Sequence, residues 1–335
     1  MHTGKSYKLS SFLFWTRRNI YRSILIAVIA VVLYQLLHIK FVAIPWTVVA
    51  LLGTATAFTI GFKNVQTYNR SAEAAAVWGA ILNNSRAWGI MIRDFLDDNT
   101  TTKELIYRQL AWVTALRYQM RCTRAWETLS RSHNNEFKKF YTIPEMETPE
   151  EEALATYLSP AELQYITSVK NKATQLISLQ SIAIKKLYGD KKIESWKYLE
   201  LQKSISNFLD QQGKSERIKN YPYPRQYATV NSFFVQLFCW LLPFGMLSEF
   251  DKLNEGTTGY WQGNMVWLLI PFSILISWVY TSLEQVGEST ENPFEGNAND
   301  IPLAQINRTI EIDLREVLGE KDLPPALQPE NDIIL

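Results

Sequence analysis

Cysteine is nearly absent from this sequence. The two that occur, Cys122 and Cys239, lie far apart in blocks of different character. They suggest neither a disulfide framework nor a thiolate metal site. Histidine is almost as scarce. His2, His38 and His133 are scattered without ligand spacing, and each reads as a surface or interfacial residue. Net charge is only +1, so no global basic bias argues for nucleic acid. The sequence has no glycine-rich phosphate loop and no nucleophile motif. Asp97 and Asp98 sit in turn-like sequence, where carboxylates are solvated. The pairs Lys185–Lys186 and Lys191–Lys192 read as wet helix faces. No run alternates in the manner of a strand. These absences argue against acid–base catalysis, a resident metal and a cofactor.

What the chain does have is segregation. Hydrophobic residues make up 47% and charged residues 20%, and the mean hydropathy of −0.12 is too low for a protein buried wholly in a bilayer. Apolar blocks lie near both ends, with a long polar block between them. Residues 1–22 carry Lys5, Lys8, Arg17, Arg18 and Arg22 and no acid. Phe12, Phe14, Trp15 and Tyr21 interleave these cations, as expected of a segment at a membrane interface. The apolar run 23–39 is too long for a signal peptide and lacks a small-residue cleavage site. It reads as a first membrane helix with its basic start on the cytoplasmic side.

Residues 41–62 contain no charge. At about 1.5 Å per residue such a helix spans a bilayer core of roughly 30 Å. Two stripes run down it. Gly53, Ala57 and Gly61 form a smooth track that suits close helix approach. Thr54, Phe58 and Phe62 form an adjacent stripe. A stripe of this kind faces lipid, a neighbouring helix or, in a ring of such helices, the central axis. No helix stop follows Lys63, and no proline occurs between Lys63 and Pro144. The second span therefore continues into a helical cytoplasmic domain, residues 63–225.

Within that domain, residues 104–129 read as an amphipathic helix, 144–149 as a linker, and Pro160 as the first turn of a helix capped by Ser159. Residues 226–248 and 256–283 are charge-free and give the third and fourth spans, with Pro243 and Pro271 expected to kink them. The loop between them is acidic and is placed outside. Residues 284–335 read as an acidic cytoplasmic tail. No span carries an ionisable residue on this reading, which disfavours a membrane-embedded enzyme. The fold class is an all-α membrane protein with four transmembrane helices and a large helical cytoplasmic part, both termini inside.

Several motifs resemble those of the bestrophins, in order along most of the chain. They are Tyr68-Asn69-Arg70 with Glu73 and Trp78-Gly79, then Asn83-Asn84-Ser85-Arg86. Further on come Glu216-Arg217-Ile218 with Pro222-Tyr223-Pro224, and Leu242-Pro243-Phe244-Gly245. The strongest is Glu291-Asn292-Pro293-Phe294, followed by Asn299-Asp300-Ile301-Pro302-Leu303 and Arg308-Thr309-Ile310-Glu311-Ile312. The resemblance to bacterial members implies a homopentamer around one ion pathway in a bacterial inner membrane. Its partners are further copies of the chain, permeant monovalent ions and membrane lipids. It implies an apolar neck at Thr54, Phe58 and Phe62, with Thr54 departing from the family's apolar pattern. It also implies a second, cytoplasmic constriction near Leu199.

Chloride and similar anions are the expected ions. Monovalent cations are the alternative, and a non-conducting scaffold or sensor is the alternative of another class. In calcium-gated relatives an acidic cluster follows the Asn-Pro-Phe motif. Here Asn292, Asn297 and Asp300 are its weak counterparts; Asp300 reads rather as the cap of a turn before Pro302, and no calcium dependence is expected.

Overall fold

In the computed structural model, which describes residues 1–259 and 261–335, twelve α-helices are joined by short turns, and the described residues form no β-strand. Helix α1, Leu9–Val31, runs on through a π turn to Leu36. Residues 9–22 of the basic start thus lie on one continuous helix with the apolar run that follows. After a 3-10 turn, Pro45 holds the chain extended and α2 begins at Trp46. The α2 helix continues to Phe95 without interruption. It stops where the acidic turn begins, and Asp98 caps α3, Asn99–Arg121, by accepting the Thr100 N–H at 3.0 Å. The expected helix 104–129 therefore ends at Arg121.

Short helices follow: α4 (Ser132–Phe137), α5 (Pro144–Glu147), α6 (Glu150–Ala155) and α7 (Pro160–Ser168). The 144–149 linker thus contains a helical turn. Ser159 and Glu162 form a capping box at the start of α7, which satisfies N–H groups that the helix itself leaves unpaired. Two longer helices complete the polar block, α8 (Lys172–Gly189) and α9 (Ser195–Asn220).

Helix α10, Arg225–Lys252, keeps Pro243 inside it. Helix α11 starts later than charge counting suggests, at Leu269, and runs to Ser289. Pro271 then lies in its first turn, just after the 3-10 turn Met265–Leu268, where a missing N–H costs little. The extra turns carry Glu284 and Glu288 onto the helix. Four helical stretches are long and apolar enough to cross a membrane: Leu9–Leu36, Lys40–Phe95, Arg225–Gly256 and Met265–Ser289.

The cores separate accordingly. The membrane core joins Val31, Val49, Ile60, Phe238, Leu242 and Leu269. The polar half has its own core, in which the second half of α2 contributes Trp78, Ile81 and Trp88. That core also holds Phe294, Leu303, Ile310 and Leu314. Residues 284–335 are therefore not a loose tail: α12, Leu303–Val317, has an apolar face that closes the polar half. The last residues return to the beginning. Thr3 N–H donates to the Asp332 carbonyl at 2.7 Å, and Ile334 N–H to the Met1 carbonyl at 3.0 Å.

Candidate ion pathway

Helix α2 is buried on one side only. In its membrane half the covered positions are Val49, Gly53, Thr56, Ile60, Lys63 and Thr67. Their spacing of three and four is one helix face. The opposite face has no cover within the chain. There Phe58 is 80% exposed and Phe62 55%, with Leu51 and Val65 exposed beyond them. Thr54 is exposed on the same side, and its hydroxyl donates to the Ala50 carbonyl at 3.0 Å. The proton is thereby spent on the helix, and the side chain presents acceptor lone pairs outward.

The small-residue track divides. Gly53 is buried, and a Cβ there would sit 2.7 Å from the Phe238 ring. Gly245 on α10 reciprocates, since its Cβ would meet Val49 at 2.6 Å. These two glycines set how closely α2 and α10 approach. Ala57 and Gly61 are exposed, and nothing lies within 4 Å of a Cβ built at Gly61. The expected three-residue track thus packs within the chain only at Gly53. Thr56, Ile60 and Lys63 continue the packed face instead.

Lys63 is more than the end of a span. Its side chain is 4% exposed and pairs with Glu284 at 2.9 Å. Asn231 of α10 donates to the other oxygen of Glu284. Further down, Glu288 pairs with Arg131, and Glu291 with Arg225. The sequence reading passed over this ladder because it ended the fourth span at 283. In sequence, acids at 284, 288 and 291 have the spacing of one helical face, and that was the available signal, although α11 itself ends at Ser289.

Leu199 stands on α9 with 54% of its surface exposed, one turn beyond exposed Trp196. The opposite face of α9 places Leu201, Ile205 and Phe208 in the core of the polar half.

The loop after α11 gathers Asn297 and Asp300 with Glu295. All three are buried. Asp300 accepts the Gly296 N–H at 2.7 Å and the Asn297 N–H at 3.0 Å, and Arg121 stands 3.9 Å away. Glu295 accepts from the Thr128 N–H and hydroxyl, each at 2.7 Å, and from Asn297. Asn292 is buried nearby, its side-chain nitrogen unpaired. Burial, and then the neighbouring Asp300, push Glu295 up to about 8. Burial also raises Asp300 against the pull of Arg121 and of the two N–H donors. Among the described residues, no group of His, Cys, Asp and Glu side chains is arranged to hold a metal ion.

An all-α membrane protein whose longest helix runs on past its apolar half to build a second core in the polar half is a distinct class. The chain belongs to the bestrophin family: the family described as "Bacterial/Fungal Bestrophin protein" matches residues 9–316. It is 27% identical over 300 residues to the voltage-dependent anion channel-forming protein YneE of Escherichia coli K12, covering 89% of this chain and 84% of that one. It is equally similar to the protein of that name from Salmonella typhi. A bacterial bestrophin homologue from Klebsiella pneumoniae has the same fold, with a TM-score of 0.76 at 22% identity over 91% of this chain and 99% of the other.

Proposed function

We propose that this chain is one subunit of a homopentameric channel that passes chloride and similar anions passively. Five copies of the bare α2 face would then surround the axis, with Phe58 and Phe62 as successive rings and Thr54 above them. The single observation that carries this reading is the exposure of those aromatic residues, on a membrane helix packed on its opposite side. Ala57 and Gly61, uncovered within the chain, suit close approach of a neighbouring subunit. Leu199 would form a second apolar ring in the cytoplasmic part, residues 63–225. Both termini would lie on that side.

A narrow apolar ring is a barrier because an ion sheds water there without gaining polar partners. It does not choose the sign of the ion by charge. The ring edges of Phe carry partial positive charge and favour anions weakly. The names of the YneE relatives point the same way. Monovalent cation conduction has one specific observation in its favour: a ring of Thr54 oxygens with their protons turned inward offers acceptors, which suit a cation. Recording from purified protein in a planar bilayer under a potassium chloride gradient tests both. A reversal potential near the chloride equilibrium value is expected. A value near that of potassium would select the second reading, and no current would end both.

A further inference from the structure

A cleft opens between the start of α1 and α4. It measures about 470 Å³ and is lined by Trp15, Arg18, Tyr21 and Arg22 of α1 with Ser132 and His133 of α4. Its floor is fixed: Asn19 donates to Gln285 of α11 at 3.1 Å, and Gln285 donates back to the Trp15 carbonyl at 3.0 Å. Arg17 and Arg18 share one carboxylate, Glu136, so that trio keeps a positive charge. Arg22 has no hydrogen-bond or ion-pair partner among the described residues. His133 Nε2 is buried without a hydrogen-bond partner, and its nearest carboxylate oxygen, on Glu288, is 3.9 Å away. Burial, with Arg131 and Arg18 nearby, pushes His133 down to about 4. It is therefore a neutral hydrogen-bonding group, and the positive charge of the cleft comes from the arginines.

The surroundings decide which phosphate. Arg18 and Arg22 share a helix face with Leu25 and Ile29, by the spacing of four and three. Leu25 is 61% exposed, and Ile29 is exposed as well. The cations thus stand one turn below an uncovered apolar stripe on a membrane helix. Trp15 and Tyr21 flank them with apolar bodies and polar tips, the side chains that settle at headgroup depth. A free phosphate would use the arginines and leave the stripe bare. A phospholipid would use both.

We propose that this cleft binds the headgroup of an anionic phospholipid, its phosphate on Arg22 and Arg18 and an acyl chain along Leu25 and Ile29. Arginine suits the role because its planar fork meets two phosphate oxygens at once.

The test uses full-length protein in detergent, where no membrane surface potential acts, with phosphatidylglycerol added and retention per subunit read by native mass spectrometry. Wild type should retain phosphatidylglycerol over phosphatidylcholine. Arg22→Gln should weaken retention roughly tenfold, the order expected when one charge-assisted hydrogen bond to phosphate is lost. This arginine makes no hydrogen bond or ion pair among the described residues, so the variant is expected to fold. Arg22→Lys should recover only part of the loss. Lys5→Gln with Lys8→Gln, away from the cleft, should change little. The proposal is overturned if Arg22→Gln retains the lipid as wild type does. It is overturned too if the lysine pair matters as much, or if inorganic phosphate displaces the lipid at equal concentration.

Discussion

Lys63 Nζ lies 2.9 Å from Glu284 Oε1, a buried ion pair joining the second and fourth membrane helices. The first charge after the apolar stretch of α2 thus points into the subunit and away from the bare face. Removing one partner of such a pair strands the other, at a cost of about 3–5 kcal/mol. Lys63→Met should therefore lower thermal stability in detergent by that order. Lys63→Met with Glu284→Leu should restore most of it. Currents through surviving channels should keep their reversal potential. A Lys63→Met protein that is fully stable but changed in ion preference would put Lys63 in the pathway.

Phe58 and Phe62 make no contribution to the membrane core of their own chain. Phe58→Ala and Phe62→Ala should leave unfolding temperatures unchanged and raise conductance or open probability severalfold. Unchanged currents in both variants would remove the neck from this face of α2.

Two glycines on the same track should behave differently. Gly53→Ala drives a Cβ to within 2.7 Å of a packed ring, and overpacking of this kind costs about 1–3 kcal/mol. It should destabilise the subunit itself. Gly61→Leu meets nothing within the chain, so helix content should persist while the oligomer, followed by size-exclusion chromatography with light scattering, is lost. If Gly61→Leu assembles normally, that glycine is not at the subunit contact.

The Glu295–Asp300 loop should make stability depend on pH. In the unfolded chain Glu295 gives up its proton near 4.5, while in the folded loop it holds the proton up to about 8. Between those values the folded state binds more protons than the unfolded state, so stability falls as pH rises. Below about 4.5 the effect vanishes. Thermal melts across this window should show the decline, and Glu295→Gln should flatten it. Calcium should not substitute for the proton. It favours several charged oxygens, and those of Glu295 and Asp300 already accept hydrogen bonds from Thr128, Asn297 and Gly296. Micromolar calcium should leave both melting temperature and open probability unchanged. A calcium-dependent rise that is lost in Asp300→Ala would sink this.

Sidedness has a built-in reporter. Cys122 is exposed and Cys239 is buried. Asn254 is tied to Asp251 and Met265, so exposed Glu255 is the better place for a new thiol. Glu255→Cys in intact cells should react with an impermeant reagent, and Cys122 only after permeabilisation. The reverse pattern would invert the topology.

The sequence by itself determined the helical character of the chain, the continuity of α2 from Trp46 to Phe95 and the Ser159 cap. These depend on local matters: uninterrupted apolar composition, the absence of proline, and side chains reaching their own helix ends. The stripe of Thr54, Phe58 and Phe62 was legible for the same reason, since helical spacing alone places three residues on one face. Tertiary structure decided what each face meets. Only the approach of Phe238 separates Gly53 from Gly61, two residues alike in composition and period. Only α11 running on to Ser289 turns Glu284 from tail charge into the partner of Lys63. Residues 284–335 read as an acidic tail because composition averages over faces, whereas α12 buries Leu303, Ile310 and Leu314 on one side and leaves Glu316 exposed. Burial belongs to the pair of surfaces that meet, and a single segment of sequence specifies only one of them.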